Sequence, residues 1–187
     1  MKISPLVRPR EVTAWDGDEV AAFDQGRKDI LVMDRPPLPG IAETVTPARV
    51  QYWRSSVTVG TAEARAAEAL GELCIANPVL AEDIVGLSRS FLAQFGVDEA
   101  SLRVEVVDKQ SCPKFHCDYV RVRLVTTYHG PTTEYVHIDA PEDVLAAPLF
   151  ALVFLKGHQH PAHADAVHHR SPGVPPGGKR LCVILDV

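Results

Sequence analysis

A chain of 187 residues with 46% hydrophobic and 23% charged side chains has the make-up of a globular protein that can bury a core. A net charge of −5, with no long basic run, argues against nucleic acid or an anionic membrane as partner and leaves a small-molecule or protein substrate. The opening MKISPLVRPREV lacks the apolar centre of a signal peptide, and no apolar run reaches about 18 residues. A cytoplasmic protein is therefore expected, in which Cys74, Cys112, Cys117 and Cys182 remain thiols.

The chain reads as one domain, helix-rich over 1–99 and β-rich over 100–187. Asp18 to Phe23 predicts a short helix stopped by Gly26. The run ILVMD at 30–34 predicts a buried strand that ends at Pro36-Pro37. Residues 61–76 are rich in Ala, Glu and Leu and predict a helix, with Thr61 as its N-cap. Asn77-Pro78 starts another: Asn caps, and Pro at the first helical position needs no amide hydrogen. Leu80, Ile84, Leu87, Phe91 and Phe95 give that helix one apolar face, and Gly96 is its stop. From about residue 100 the period falls to two, with Leu102, Val104 and Val106 on one face. Strands are predicted over Tyr119–Tyr128, Thr132–Ile138, Phe150–Lys156 and Arg180–Val187. His129-Gly130-Pro131 predicts a turn, Asp139–Glu142 a helical turn, and the histidine-rich 157–168 a polar loop. Helices followed by many short strands imply an α+β protein, with a helical layer against a β-barrel or jelly roll.

His116 and Asp118 stand two apart, which on a strand puts both on one face. With a distal His169 they make two imidazoles and one carboxylate, a set that leaves three positions of a mononuclear non-haem Fe(II) open. Two other His-x-Asp pairs exist. His137/Asp139 sits at a strand end, where Asp139 reads as a cap, and His163/Asp165 lies in the polar loop. His116/Asp118 opens the longest predicted strand and leaves about fifty residues for the chain to return at His169. A hydrogen-bonded structural His/Asp pair is the plainer reading of the same residues. His168 competes with His169, since adjacent strand residues face opposite ways. Arg180, on a hairpin strand after the Pro/Gly loop, suits a co-substrate carboxylate gripped by two parallel hydrogen bonds; a solvated arginine beside Lys179 is the alternative. Tyr128 is a candidate pocket residue. Strand parity separates Arg121 and Arg123 from the His116/Asp118 face and puts them in outer salt bridges. Cys117 points away as a small buried side chain, and Cys112 reaches the metal only if Pro113 bends the chain. His158, His160 and His163 read as a solvated loop, or as extra metal ligands.

The stretch CPKFHCDYVRVRLVTTYHGPTTEY, with LKG at 155–157, HRSP at 169–172 and the RLCVILD ending, resembles a bacterial domain-of-unknown-function family. That family's pattern runs CPKFHxDxVxxRLL, a G-TEW-type strand, LKG, HRSP and an RLLLVLD-like strand. The resemblance is clearest over 111–187; here Tyr135 stands for the usual Trp, and His158 follows LKG where an acidic residue is common. More broadly, HxD, a distal His and a following Arg resemble the Fe(II)/2-oxoglutarate oxygenase superfamily. That resemblance implies a double-stranded β-helix (jelly roll, cupin-like), His116, Asp118 and His169 as iron ligands, and Arg180 on the distal carboxylate of 2-oxoglutarate. The family arginine is often followed two residues later by Ser; this chain has Cys182. The family resemblance also implies a link to bacterial zinc homeostasis, so a zinc-binding protein, either a metal-handling module or a hydrolase, is the alternative.

Overall fold

Backbone pairing and capping follow local sequence closely in the first half of the computed structural model, which describes residues 14–187. The opening MKISPLVRPREV lies outside them. Asp16 accepts from Asp18 N and Glu19 N to start α1 (Gly17–Gln25), and Gly26 closes it. Ile30–Met33 forms β1. Ile41–Val45 makes a short α2, and Gln51–Val57 forms β2; neither was anticipated. In α3 (Ala62–Glu72) Thr61 holds the N-cap position without a side-chain bond to the helix; its hydroxyl accepts from Thr58 N instead. α4 (Pro78–Phe95) starts as expected, with the Asn77 side chain accepting from Leu80 N at 2.9 Å. Gly96 ends it in the left-handed region at φ 65°, where a side chain would be strained.

The strands β3 (Ala100–Val107), β4 (Val122–His129), β5 (Glu134–His137), β6 (Ala140–Ala146), β7 (Leu152–Lys156), β8 (Val167–Arg170) and β9 (Arg180–Asp186) complete the chain. They build two antiparallel sheets, one ordered β1-β7-β4-β9-β3-β2 and one ordered β6-β5-β8. The structure is thus a mixed α+β fold. The helix-rich part supplies both edges of the large sheet, so the two halves of the chain interlock.

Period two sorts the large sheet's side chains. Leu102, Val104, Leu124, Tyr128, Phe154, Leu181, Val183 and Leu185 face the helices and pack with Leu80, Ile84, Leu87 and Phe91. Each fully buried Leu or Phe contributes about 1.5–3 kcal/mol. The opposite face presents Val125, Val153, Leu155, Cys182 and Ile184 to Val167 of the small sheet. No helix among the described residues is long and apolar enough to cross a membrane.

Three expectations need correction. The chain before β4 is not a strand: residues 119–121 turn, so the pleat does not run unbroken from His116 to Arg123. Asp139 does not start a helical turn; it sits in the tight connection between paired strands β5 and β6. β8 and β9 are not a hairpin, because they belong to different sheets.

An ionic group ties α4 to β4. Arg35 lies between α4 and β4, donating to Asp83 at 2.8 and 3.1 Å and to the Phe150 carbonyl, while the buried Tyr128 hydroxyl donates to Asp83 at 2.5 Å. Asp83→Ala leaves both donors without their carboxylate, at a cost of about 1–3 kcal/mol per unpaired group. Urea unfolding should show that loss for Asp83→Ala, against less than about 0.5 kcal/mol for Glu68→Ala, whose pair with Arg65 is exposed. Equal midpoints for the two variants would contradict this.

Candidate metal centre

The two histidines meet through their backbones. His116 and His169 form an isolated antiparallel bridge, with His116 N donating to His169 O at 3.0 Å and His169 N to His116 O at 2.9 Å. This stitches the 112–118 segment onto β8 and sets the ring centroids 4.7 Å apart. Asp118 completes the group: its Oδ2 is 2.9 Å from His169 Nε2, its Oδ1 3.6 Å from His116 Nε2. One ligand atom from each of the three lies within 4.8 Å of the others. His168, on the outer side of β8, pairs with Asp165 at 3.0 Å instead. His137 is exposed and takes no part in the group.

Two of the three side chains are oriented from behind. His116 Nδ1 lies 2.9 Å from the Lys114 carbonyl, so that nitrogen donates and Nε2 keeps its lone pair toward Asp118 and His169. Arg123 Nη1 contacts Asp118 Oδ2 at 2.5 Å, and the same guanidinium grips Asp186 through Nε at 2.7 Å and Nη2 at 2.8 Å. Arg123 is therefore a wall of the site and not an outer-surface arginine. The turn at 119–121 resets the strand parity that placed it outside. Arg121 does sit apart, against Phe95 and Asp24.

Burial alone would raise the Asp118 carboxyl, but the His169 ring, then Arg123 and His116, outweigh it and hold it down to about 2. Burial pushes the His169 ring below its ordinary value of 6.5 against the pull of Asp118, which favours the neutral imidazole that a metal needs. Asp118 Oδ2 is buried and, despite its close cations, has no contact with hydrogen-bond angles. Each Asp118 oxygen faces one imidazole, Oδ2 the Nε2 of His169 and Oδ1 the Nε2 of His116, and two nitrogens with one oxygen suit Fe(II) with open positions. Cys112 does not join: its Sγ lies 3.5 Å from Nδ1, the far nitrogen of His116. Cys117 faces away. Burial first, then Asp118, Asp165 and Asp29, push its thiol up to about 11, so it is no free nucleophile at neutral pH.

The triad lies on the wall of a cavity of about 260 Å³ that Val125, Ile184, Thr133, Glu105, Arg103 and Arg180 also line. Arg180 is buried. Nε donates to Pro131 O at 3.1 Å, Nη1 to Glu105 Oε1 at 3.3 Å, and Nη2 to the Thr127 and Thr133 hydroxyls. Cys182 Sγ donates to the same Glu105 oxygen at 3.1 Å, and burial pushes that thiol up to about 12. Arg103 and Glu105 were missed as site residues. Their alternation with Leu102 and Val104 reads as a solvated face, but here the polar face of β3 looks between the sheets. Tyr128 is not in this cavity. It lies one residue from Thr127 on β4, so its ring points to the helices.

The sign of the Asp118 shift gives a pH test on the metal-free protein. A carboxyl held at about 2 against its ordinary 3.8 contributes roughly 2 kcal/mol, fully present above about pH 4 and lost as pH falls through about 2. Urea midpoints measured from pH 5 to pH 2 should fall less steeply for Asp118→Asn than for the native chain. Parallel slopes would contradict the assignment.

Comparison with known proteins adds a family and a set of distant structural likenesses. No curated protein matches this chain. Its structure is similar to that of dioxygenase for auxin oxidation 1 from Arabidopsis thaliana in a binary complex with 2-oxoglutarate: TM-score 0.45, 12% identity, 81% of this chain. The match spans 65% of the plant protein, just under two thirds of its length. It is also similar to a viral collagen prolyl hydroxylase of Paramecium Bursaria Chlorella virus-1: TM-score 0.46, 12% identity, 85% of this chain and 94% of that one. A Pseudomonas putida prolyl-4-hydroxylase gives TM-score 0.43 and 18% identity, over 82% and 94% of the two chains. Likenesses this distant leave the chemistry to be argued from the site. The sequence profile of the family described as protein of unknown function (DUF1826) matches residues 11–186, and the chain belongs to that family.

Proposed function

We propose that the protein is a non-haem Fe(II), 2-oxoglutarate-dependent oxygenase on a double-stranded β-helix, acting on a small-molecule or protein substrate. The observation that carries the reading is the convergence of His116, Asp118 and His169 on one point of a cavity that Arg180 also lines. Two facing antiparallel sheets with the ligands between them are in keeping with the jelly-roll reading.

His116 Nε2, His169 Nε2 and an Asp118 oxygen would hold the iron. With 2-oxoglutarate and O2, bound Fe(II) supplies co-substrate decarboxylation coupled to oxidation of a substrate C–H bond. The chain's own residues do the rest. Lys114 O fixes the His116 tautomer, and the Asp186–Arg123 pair aims Asp118 and keeps it ionised. Val125 and Ile184 give the cavity apolar walls that limit water. Arg180 supplies the charge for the distal carboxylate. Four of its five N–H groups are engaged, so Glu105 must yield one contact before the guanidinium grips a carboxylate in two places.

Zinc, the alternative metal, accepts the same ligands, and the test separates the two. The full-length protein, loaded anaerobically with Fe(II), is expected to develop a visible metal-to-ligand charge-transfer band on adding 2-oxoglutarate. His116→Ala and Asp118→Ala should each abolish iron retention, while His137→Ala leaves it intact. Arg180→Lys keeps the charge but loses the fork, and should raise the 2-oxoglutarate concentration at half-saturation by roughly 30-fold or more. A native protein that retains zinc, rejects Fe(II) and shows no band would overturn the oxygenase reading.

A further inference from the structure

The backbone that presents His116 and Asp118 to the cavity points Cys117 to its other side. There Cys117 Sγ meets His163 Nε2 at 3.9 Å, and the His163 ring packs edge-on against His158 with centroids 5.0 Å apart. One ligand atom from each of Cys117, His158 and His163 lies within 4.8 Å of the other two. The three come from two separate stretches, so their meeting is a product of the fold.

The loop that carries the histidines is fixed to the segment that carries the cysteine. Gly157 N donates to Arg121 O at 3.0 Å, His158 N to Asp118 O at 2.9 Å, and Gln159 N to Val120 O at 3.1 Å. The approach is so close that a Cβ on Gly157 would fall 2.1 Å from Val120 O and 2.7 Å from Asp118 O, which only glycine allows. From the other side Asp29, buried in the bend just before β1, accepts from Ala164 N and Ala166 N. His163 is nearly enclosed, and its Nδ1 is buried without a hydrogen bond, 3.7 Å from Asp29 Oδ1. A carboxylate behind the far nitrogen of a histidine whose near nitrogen faces a thiol is the usual setting of a metal-ligating imidazole. His160 belongs to the scaffold: its ring is buried, 2.9 Å from Asp24 and accepting from Ala162 N.

We propose that Cys117, His158 and His163 form a second divalent-metal site of the zinc class, back to back with the His116–Asp118–His169 group. One sulfur and two imidazoles are the soft-to-borderline set that selects zinc over iron, and exposed His158 leaves the fourth position open to water. On binding, the thiol proton leaves to solvent and a metal–sulfur bond forms. The occupied site clips the 157–166 loop to the residue between two ligands of the first site. It stands whether or not the first site holds iron.

Cobalt(II) is the probe, because thiolate ligation gives it an intense near-ultraviolet charge-transfer band. The metal-free full-length protein is titrated anaerobically, both as the native chain and as His169→Ala, which disables the first site. Both should show the band, saturating at one equivalent in the variant and displaced by zinc. Cys117→Ser should abolish it and Cys112→Ser should leave it. His158→Ala, an exposed change that the fold tolerates, should weaken cobalt binding at least about tenfold, the lower range for loss of even an outer-shell partner. No band in the native chain, or a band that survives Cys117→Ser, overturns the site. So does unchanged affinity in His158→Ala, which decides the matter if Cys117→Ser fails to fold.

Discussion

Two backbone hydrogen bonds between His116 and His169 hold the candidate centre together. They form an isolated bridge between residues more than fifty positions apart. Because each residue of the pair exchanges both its N–H and its C=O, the two side chains emerge side by side on the same face. Asp118 then needs only the two-residue step of an extended chain to reach the same point. The geometry of the group is therefore set by main chain, which also fixes the His116 tautomer through Lys114 O, while the Arg123 side chain behind Asp118 sets its charge. Such a division favours a site that is rigid before any metal arrives.

Charge balance inside the cavity follows a second pattern. Arg123 is shared between Asp118 and Asp186, and Arg180 between Glu105 and two threonine hydroxyls. Neither cation is left bare between the sheets, where an unpaired charge would be costly. Arg123 is anchored bidentately on Asp186 and contacts Asp118. Arg180 has a single longer contact to Glu105, at 3.3 Å, and under the proposed function is the one whose partner would be exchanged for an incoming carboxylate. Cys182 adds to this by donating to Glu105, which gives that carboxylate a partner besides Arg180. Where a serine is common two residues past this arginine, the thiol of this chain thus has a place in the network.

How much of this was legible in the sequence varies by level. Capping at Asn77-Pro78, the stop at Gly96 and the period-two run from Leu102 gave the helices and strands, because each is decided by residues within one turn or pleat. The His-x-Asp pair with His169 was legible as a chemical set. Its reason was not: by sequence His116 and Asp118 open a long strand, whereas the turn at 119–121 separates them from β4. That same turn brings Arg123 to the site, and parity counted through it gave the wrong side. Tyr128 failed for the converse reason. Within an unbroken strand its parity with Leu124 already assigned it to the helix-facing core. Glu105 carries no local signal of its role, since a polar residue alternating with valines reads the same whether its face meets water or a second sheet. The short β2 and α2 are decided by their neighbours and not by their own pattern.

The most direct test of the centre is anomalous diffraction at the iron edge from crystals of the Fe(II)-loaded protein grown without oxygen. The account places one iron peak within about 2.0–2.2 Å of His116 Nε2, His169 Nε2 and an Asp118 oxygen, the distance of nitrogen and oxygen ligands to a first-row metal. An iron peak that leaves those three atoms uncoordinated, with Asp118 bound only to Arg123, would contradict it.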